Sequence, residues 1–189
     1  MMHLKAACAA LLAVACTSPI AAQGKVDPIS QVLAATAGNW TGKLQYRDYG
    51  TNQWEGLPVK IRIAVQPDGV TLVRSAAFDD GPKVGTVWIT TISQFDPARG
   101  SESYASFRKG RELDTGTRTV AFAEPPRDQT HWTMVTLETR IDGNSPAQVR
   151  ETTTRDGASM ITLKEVNPLD DDKDEWLPRN RTVLVRSGR

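Results

Sequence analysis

Beyond Gly38 the chain reverses direction at short intervals, and this constrains its fold more than any other feature. Turn-forming residues recur at Pro67-Asp68-Gly69, Asp80-Gly81-Pro82, Asp96-Pro97, Lys109-Gly110, Pro125-Pro126, Asp142-Gly143-Asn144, Asp156-Gly157 and Asn167-Pro168. Between them lie runs rich in β-branched and aromatic residues, each roughly eight to twelve residues long, the spacing of consecutive strands in an all-β domain. Strands are expected over about 39–49, 57–66, 69–78, 83–95, 101–108, 112–123, 129–141, 146–155, 158–166 and 176–186. Val59, Ile61, Ile63 and Val65 share one face, with Lys60, Arg62 and Ala64 on the other, which is the period of a strand with one buried side. Connections this short set each strand antiparallel to the one before it. A long meander of this kind curls until its edges meet, because closure removes exposed backbone edges. The expected fold is all-β: an antiparallel up-and-down β-barrel of about ten strands, preceded by a short N-terminal helix.

That helix is expected between Val26 and Ala37, with Asp27 as its N-cap, Pro28 at the first helical position and Gly38 as its stop. Further upstream, Lys5 is followed by an apolar, small-residue run from Ala6 to Ala15, then by Thr17, Ser18, Pro19, Ala21 and Ala22. This is the layout of an export signal. Residues 1–22 are read as a signal peptide and 23–189 as one domain, and the working protein is expected to be periplasmic or secreted. A second reading competes: Leu12-Ala13-Val14-Ala15-Cys16 resembles a lipoprotein signal, which would make Cys16 a lipidated first residue and anchor the protein to a membrane. The apolar run is shorter than the ~20 residues a membrane-crossing helix needs, so no transmembrane span is expected.

Both cysteines, Cys8 and Cys16, fall in the leader, so cleavage after Ala22 removes disulfides, thiol catalysis and Cys-ligated zinc from consideration. The 23 Lys and Arg residues nearly balance 22 Asp and Glu, with the two signs interspersed. No basic stripe marks a nucleic-acid partner.

The two ends of the domain carry a further pattern. The first strand opens on Gly38-Asn39-Trp40, and the last carries Arg179-Asn180-Arg181 before Thr182-Val183-Leu184-Val185. This resembles the signature of the calycin superfamily, which includes lipocalins, fatty-acid-binding proteins and, more distantly, nitrobindin-like barrels. The resemblance implies a calycin-like barrel over 23–189 in which Trp40 sits at the base and an arginine of the last strand, Arg181, lies across its ring and bonds backbone carbonyls. Gly38, Trp40, Arg179 and Arg181 are then structural. A guanidinium stacked on indole contributes about 0.5–2 kcal/mol. The Tyr46-Arg47-Asp48-Tyr49 segment and the Arg-Asn-Arg end are also similar to those of bacterial exported proteins, which brings no function with it.

Candidate chemistry is sparse. His131 is the only histidine in residues 23–189. Nitrobindin-like barrels ligate haem through a histidine, so the resemblance raises haem at His131, against the plainer expectation of a strand or rim histidine and no cofactor. One histidine without Gly-X-Ser-X-Gly specifies no serine triad, and no catalytic residue is assigned. Glu102, Glu112, Glu138, Glu151 and Glu165 lie in expected strands beside Arg and Lys, which reads better as salt-bridged faces than as a glycosidase pair. Asp170-X-Asp172-X-Asp174 lacks the glycine and distal glutamate of a calcium loop, and no metal site is assigned. Five tryptophans are many for this length; Trp88 and Trp132 are candidates for a cavity wall, with ordinary core packing as the alternative. If Arg150, Thr152 and Thr154 face inward they offer donors to a carboxylate or another polar group, and if outward they are merely solvated. The leading expectation is a non-enzymatic barrel holding a small hydrophobic or amphipathic ligand near Trp88, His131, Trp132, Arg150 and Thr152. Its rivals are a filled, envelope-associated interaction protein or lipoprotein, and a haem or enzymatic barrel using His131.

Overall fold

Asp27 opens the chain described by the computed structural model, which covers residues 27–170 and 173–188. The leader expected at 1–22, Cys16 included, and Asp172 lie outside the described residues. The Asp27 carboxylate accepts from the backbone amides of Ile29 at 2.8 Å and Ser30 at 3.1 Å, which satisfies two of the donors a helix start leaves free. The helix α1 (Pro28–Ala34) follows, and Gly38, at φ +136°, turns the chain into the first strand.

The strands are β1 (Gly38–Arg47), β2 (Trp54–Val65), β3 (Thr71–Asp79), β4 (Thr86–Asp96), β5 (Ser101–Arg108), β6 (Asp114–Phe122), β7 (His131–Asp142), β8 (Ser145–Asp156), β9 (Ser159–Pro168) and β10 (Leu177–Arg186). Between β3 and β4 one helical turn, α2 (Gly81–Val84), takes the start of a run expected as strand. Gly81 adopts φ +78° there, and the fixed φ of Pro82 suits a helical turn better than a ladder, to which it could donate nothing.

Every strand pairs antiparallel with its neighbours in sequence, and β1 also pairs with β10, giving a closed ten-strand barrel in the order β1-β10-β9-β8-β7-β6-β5-β4-β3-β2. Closure needs close backbone approach at the seam. A side chain at Gly42 would set its Cβ 1.8 Å from the Val183 carbonyl oxygen, so a residue without one is required there.

Helix α1 closes one end of the ring by burying Val32 and Leu33 against Trp40, Ile61, Ile63 and Leu72. Trp40 is fully buried, and its indole nitrogen donates to the Thr36 carbonyl at 2.9 Å. Two guanidiniums flank the ring, Arg155 of β8 at 5.4 Å and Arg186 of β10 at 5.5 Å from its centroid. Both donate to carbonyls that α1 leaves without helical partners: Arg155 Nη1 to Ala35 at 2.8 Å, and Arg186 to Ala35 at 3.2 Å and to Ala37. A Cβ at Gly38 would come 2.9 Å from the Arg186 guanidinium, which gives the Gly-X-Trp pattern a spatial reason.

The last-strand arginine on Trp40 is therefore Arg186 and not Arg181. Register decides this: Trp40 lies opposite Arg186, whereas Arg181 lies opposite Gln45, five residues or about 16 Å away along the strand. Arg181 faces outward, stacks 4.4 Å from the Trp54 centroid and donates to Gln45 Oε1 at 2.8 Å. Arg179, in the register shift between Pro178 and Asn180, reaches Asp142 at 3.4 Å.

Urea unfolding of arginine variants checks this assignment. Arg155→Ala, which strips a buried donor from Ala35, is expected to lose about 1–3 kcal/mol, Arg186→Ala a smaller amount because it is exposed, and Arg181→Ala no more than about 1 kcal/mol.

Candidate functional site

Alternation points the even-numbered residues of β3, β6, β7 and β9 and the odd-numbered residues of β4 and β8 into the barrel, where they enclose a cavity of about 410 Å³. Its floor is apolar. Leu33 of α1, Ile63, Leu72, Trp132, Met160 and Leu184 close it beside Trp40. Towards the other end the inward residues become polar, and Asp114 and Arg140 at that end are partly exposed.

The polar belt consists of two linked clusters. In the first, Arg118 of β6 donates through Nε to Glu102 of β5 at 2.7 Å and through Nη1 to Glu151 of β8 at 2.8 Å. Glu102 and Arg118 are direct cross-strand partners, while Glu151 lies beyond β7, so this one guanidinium ties three strands together. Burial opposes its charge, but the two carboxylates outweigh burial and hold its pKa above the ordinary arginine value.

In the second cluster the Tyr104 hydroxyl donates to Glu138 at 3.0 Å and accepts from Arg140 Nη1 at 2.7 Å, and Arg140 Nη2 donates to Asp114 at 2.8 Å. Gly116, opposite Tyr104 on β6, makes the bridge possible. A Cβ there would lie 2.7 Å from the Tyr104 hydroxyl and 2.9 Å from Glu138 Oε2. Burial first, and then the negative charge of Glu138, push the Tyr104 phenol above its ordinary pKa.

Of the five residues expected around a ligand, the cavity takes Trp132, whose indole donates to the Gln129 carbonyl at 3.1 Å. The others lie outside it. Trp88 is on the outer face of β4 with 61 % of its surface exposed. Arg150 packs outside, 4.1 Å from the Trp176 centroid and paired with Glu165 at 2.9 Å, and Thr152 shares its outward face. A one-residue difference in parity accounts for this, since buried Ala147 and Val149 turn Glu151, Thr153 and Arg155 inward instead.

His131 also faces away from the cavity, with Nδ1 2.8 Å from Asp128 and Nε2 3.4 Å from Asp156. Both ring nitrogens are directed at carboxylates, so this histidine does not fit the axial role that the nitrobindin-like resemblance would give it. Among the described residues no group of three or more His, Cys, Asp or Glu is arranged to hold a metal ion.

Of the belt residues, Glu102, Glu138 and Glu151 are strand glutamates expected on salt-bridged faces, and each is paired with an arginine; Arg74, Tyr104 and Arg118 are the part of the site that turn spacing and motif patterns do not single out. The signal for them is parity. Arg74 lies two residues from Leu72, Arg118 two from Val120 and Glu151 two from Val149, each on the buried face of its strand.

No family model matches the chain, and no curated protein matches it. Among solved structures it is similar to the crystal structure of Rv2717c from M. tuberculosis, with a TM-score of 0.58 and 11 % identity over 85 % of this chain and 98 % of that one. At this identity the likeness extends to the fold alone.

Two measurements check the belt. Arg118→Met leaves two inward carboxylates without their cation and is expected to lower stability by about 3–5 kcal/mol in urea unfolding. Phenolate absorbance of the wild type and of Tyr104→Phe should rise together up to about pH 11, the extra wild-type amplitude appearing only above it. Because the folded pKa of Tyr104 exceeds the unfolded one, its contribution to stability is full below about pH 10 and is lost as pH rises beyond that.

Proposed function

We propose that this protein is a binding barrel that holds one small amphipathic molecule in its inner cavity without reacting with it. The supporting observation is the division of the cavity into an apolar floor and a polar belt. Its volume falls in the range of small-molecule sites, about 300–1,000 Å³, and such sites combine apolar walls with a few fixed polar groups. The belt side chains are held in place by one another. Its carboxylates Glu102, Glu151 and Glu138 are each held by an arginine, and the Tyr104 hydroxyl is fixed between Glu138 and Arg140. Export by the leader at 1–22 belongs to the same reading and matches a carrier working outside the cytoplasm.

A second reading is favoured by one feature of the outer surface. Val84, Trp88, Phe107 and Leu113 are exposed together beside α2 and β5, as at the surface of a protein with a macromolecular partner.

Native mass spectrometry after incubation with an organic extract of the host envelope tests the first reading. The wild type is expected to gain one small-molecule adduct per chain, Thr162→Phe, which fills the cavity, to lose it, and Trp88→Ser to keep it. A bare polypeptide mass with every extract fraction would overturn the binding-barrel reading.

A further inference from the structure

The outer wall between α2 and the turn joining β5 to β6 holds a groove whose apolar floor is open to solvent. Val84, Trp88, Phe107 and Leu113 line it, and all four are exposed. Apolar side chains gathered on a surface in this way mark a place that a partner covers. The rim is basic: Arg108, Lys109 and Arg111 stand against Glu112, and none of the three cations is ion-paired among the described residues. The partner that fits is therefore apolar and acidic.

The chain itself carries such a segment. After β9 the sequence reads Leu169-Asp170-Asp171-Asp172-Lys173-Asp174-Glu175, five carboxylates to one lysine. Leu169, Asp170 and Glu175 are exposed, and neither of these two carboxylates is ion-paired among the described residues. The connection is tied down on both sides of the acidic run: the Leu169 amide donates to the Pro146 carbonyl at 2.9 Å, and Asn167 Nδ2 donates to Asp174 Oδ1 at 2.8 Å.

Within one barrel the groove and this segment cannot meet. Consecutive strands alternate in direction, so β4 begins, and β5 and β9 end, at the rim away from α1. Trp88 on β4 and the connection after β9 share that rim but lie five strands apart whichever way the ten-strand ring is followed. They face each other across the mouth. This placement is self-complementary under a two-fold rotation. When two copies meet mouth to mouth, about an axis between the rims and perpendicular to the line from groove to connection, each basic groove comes over the acidic connection of the other copy. An isologous contact of this kind closes at two copies.

Resting on the second reading above, that the outer aromatic surface has a macromolecular partner, we infer that this partner is a second copy of the chain. It binds mouth to mouth, with Leu169 seated between Trp88 and Phe107 and with Asp170 and Glu175 facing the cations of the groove. Opposite charges meeting at two places set the register and exclude the arrangement in which groove faces groove. The pairing also brings the two cavity mouths together.

Sedimentation velocity of the purified protein over a range of concentrations, at about 0.05 M and about 1 M salt, tests this. The wild type is expected to dimerise, with a dissociation constant raised about tenfold or more in the higher salt, where charges are screened beyond about 3 Å. The double variants Lys109→Glu/Arg111→Glu and Asp170→Lys/Glu175→Lys are each expected to be monomeric, because each sets like charges against one another at both contacts. Mixed in equal amounts, the two are expected to form a heterodimer, seen by native mass spectrometry, since both of its contacts again join opposite charges. Trp88→Ser is expected to weaken the wild-type dimer about tenfold or more. A dimer that none of these variants weakens, a mixture that yields no heterodimer, or a wild type that grows beyond two copies overturns the mouth-to-mouth contact. A wild type that stays monomeric but cosediments with phosphatidylglycerol vesicles overturns self-pairing and keeps the second reading, with an anionic lipid surface as the occupant. A monomer that binds no vesicles counts against both.

Discussion

The packing of Trp40 against the end of α1 is the interaction on which the rest of the barrel depends. A closed ring of strands has two open ends, and here one is sealed by a seven-residue helix too short to be stable alone. Its free carbonyls at Ala35, Thr36 and Ala37 accept from Arg155, Arg186 and the Trp40 indole. The donors come from β8, β10 and β1, so the contact that caps the helix also joins strands at and beyond the seam. The same residues support the cavity floor, since Leu33 of that helix and Leu184 of β10 line it.

The charged belt follows a different logic. A buried ion pair adds little net stability, because desolvation consumes most of its Coulombic gain, whereas a broken one is expensive. What Glu102-Arg118-Glu151 and Tyr104-Glu138-Arg140-Asp114 contribute is shape. Their hydrogen bonds hold side chains from β5, β6, β7 and β8 in fixed positions around the interior, and long polar side chains held this way do not collapse into the space as aliphatic ones would. The floor, by contrast, is closed by the apolar side chains of Leu33, Ile63, Leu72, Trp132, Met160 and Leu184.

The outward aromatics show why residue type alone misleads in such a fold. Trp54 and Trp176 are large and apolar, yet both lie under arginines on the outside of the barrel, Arg181 and Arg150, where the guanidinium covers the ring and keeps its own charge hydrated. Trp40 and Trp132 are buried because their strands place them on the inner face, and nothing in the identity of a tryptophan distinguishes the two situations.

By itself the sequence determined the strand count, the antiparallel order and the helix. Turn chemistry is local: Asp27-Pro28, Asp68-Gly69 and Asp156-Gly157 act on their own backbone, and short connections leave a meander one way to close. The Gly38-Asn39-Trp40 opening marked the start of the first strand, but not which arginine would lie on the Trp40 ring. Which arginine reaches Trp40 and which face of the β8 segment Arg150-Glu151-Thr152-Thr153 lines the cavity were decided only by the tertiary structure. In a strand polar on both sides no local signal tells inside from outside, and a one-residue step exchanges them. Parity there is inherited through the hydrogen-bonded register from distant apolar neighbours such as Val59, Ile61 and Val149, and the register exists only once the ring has closed.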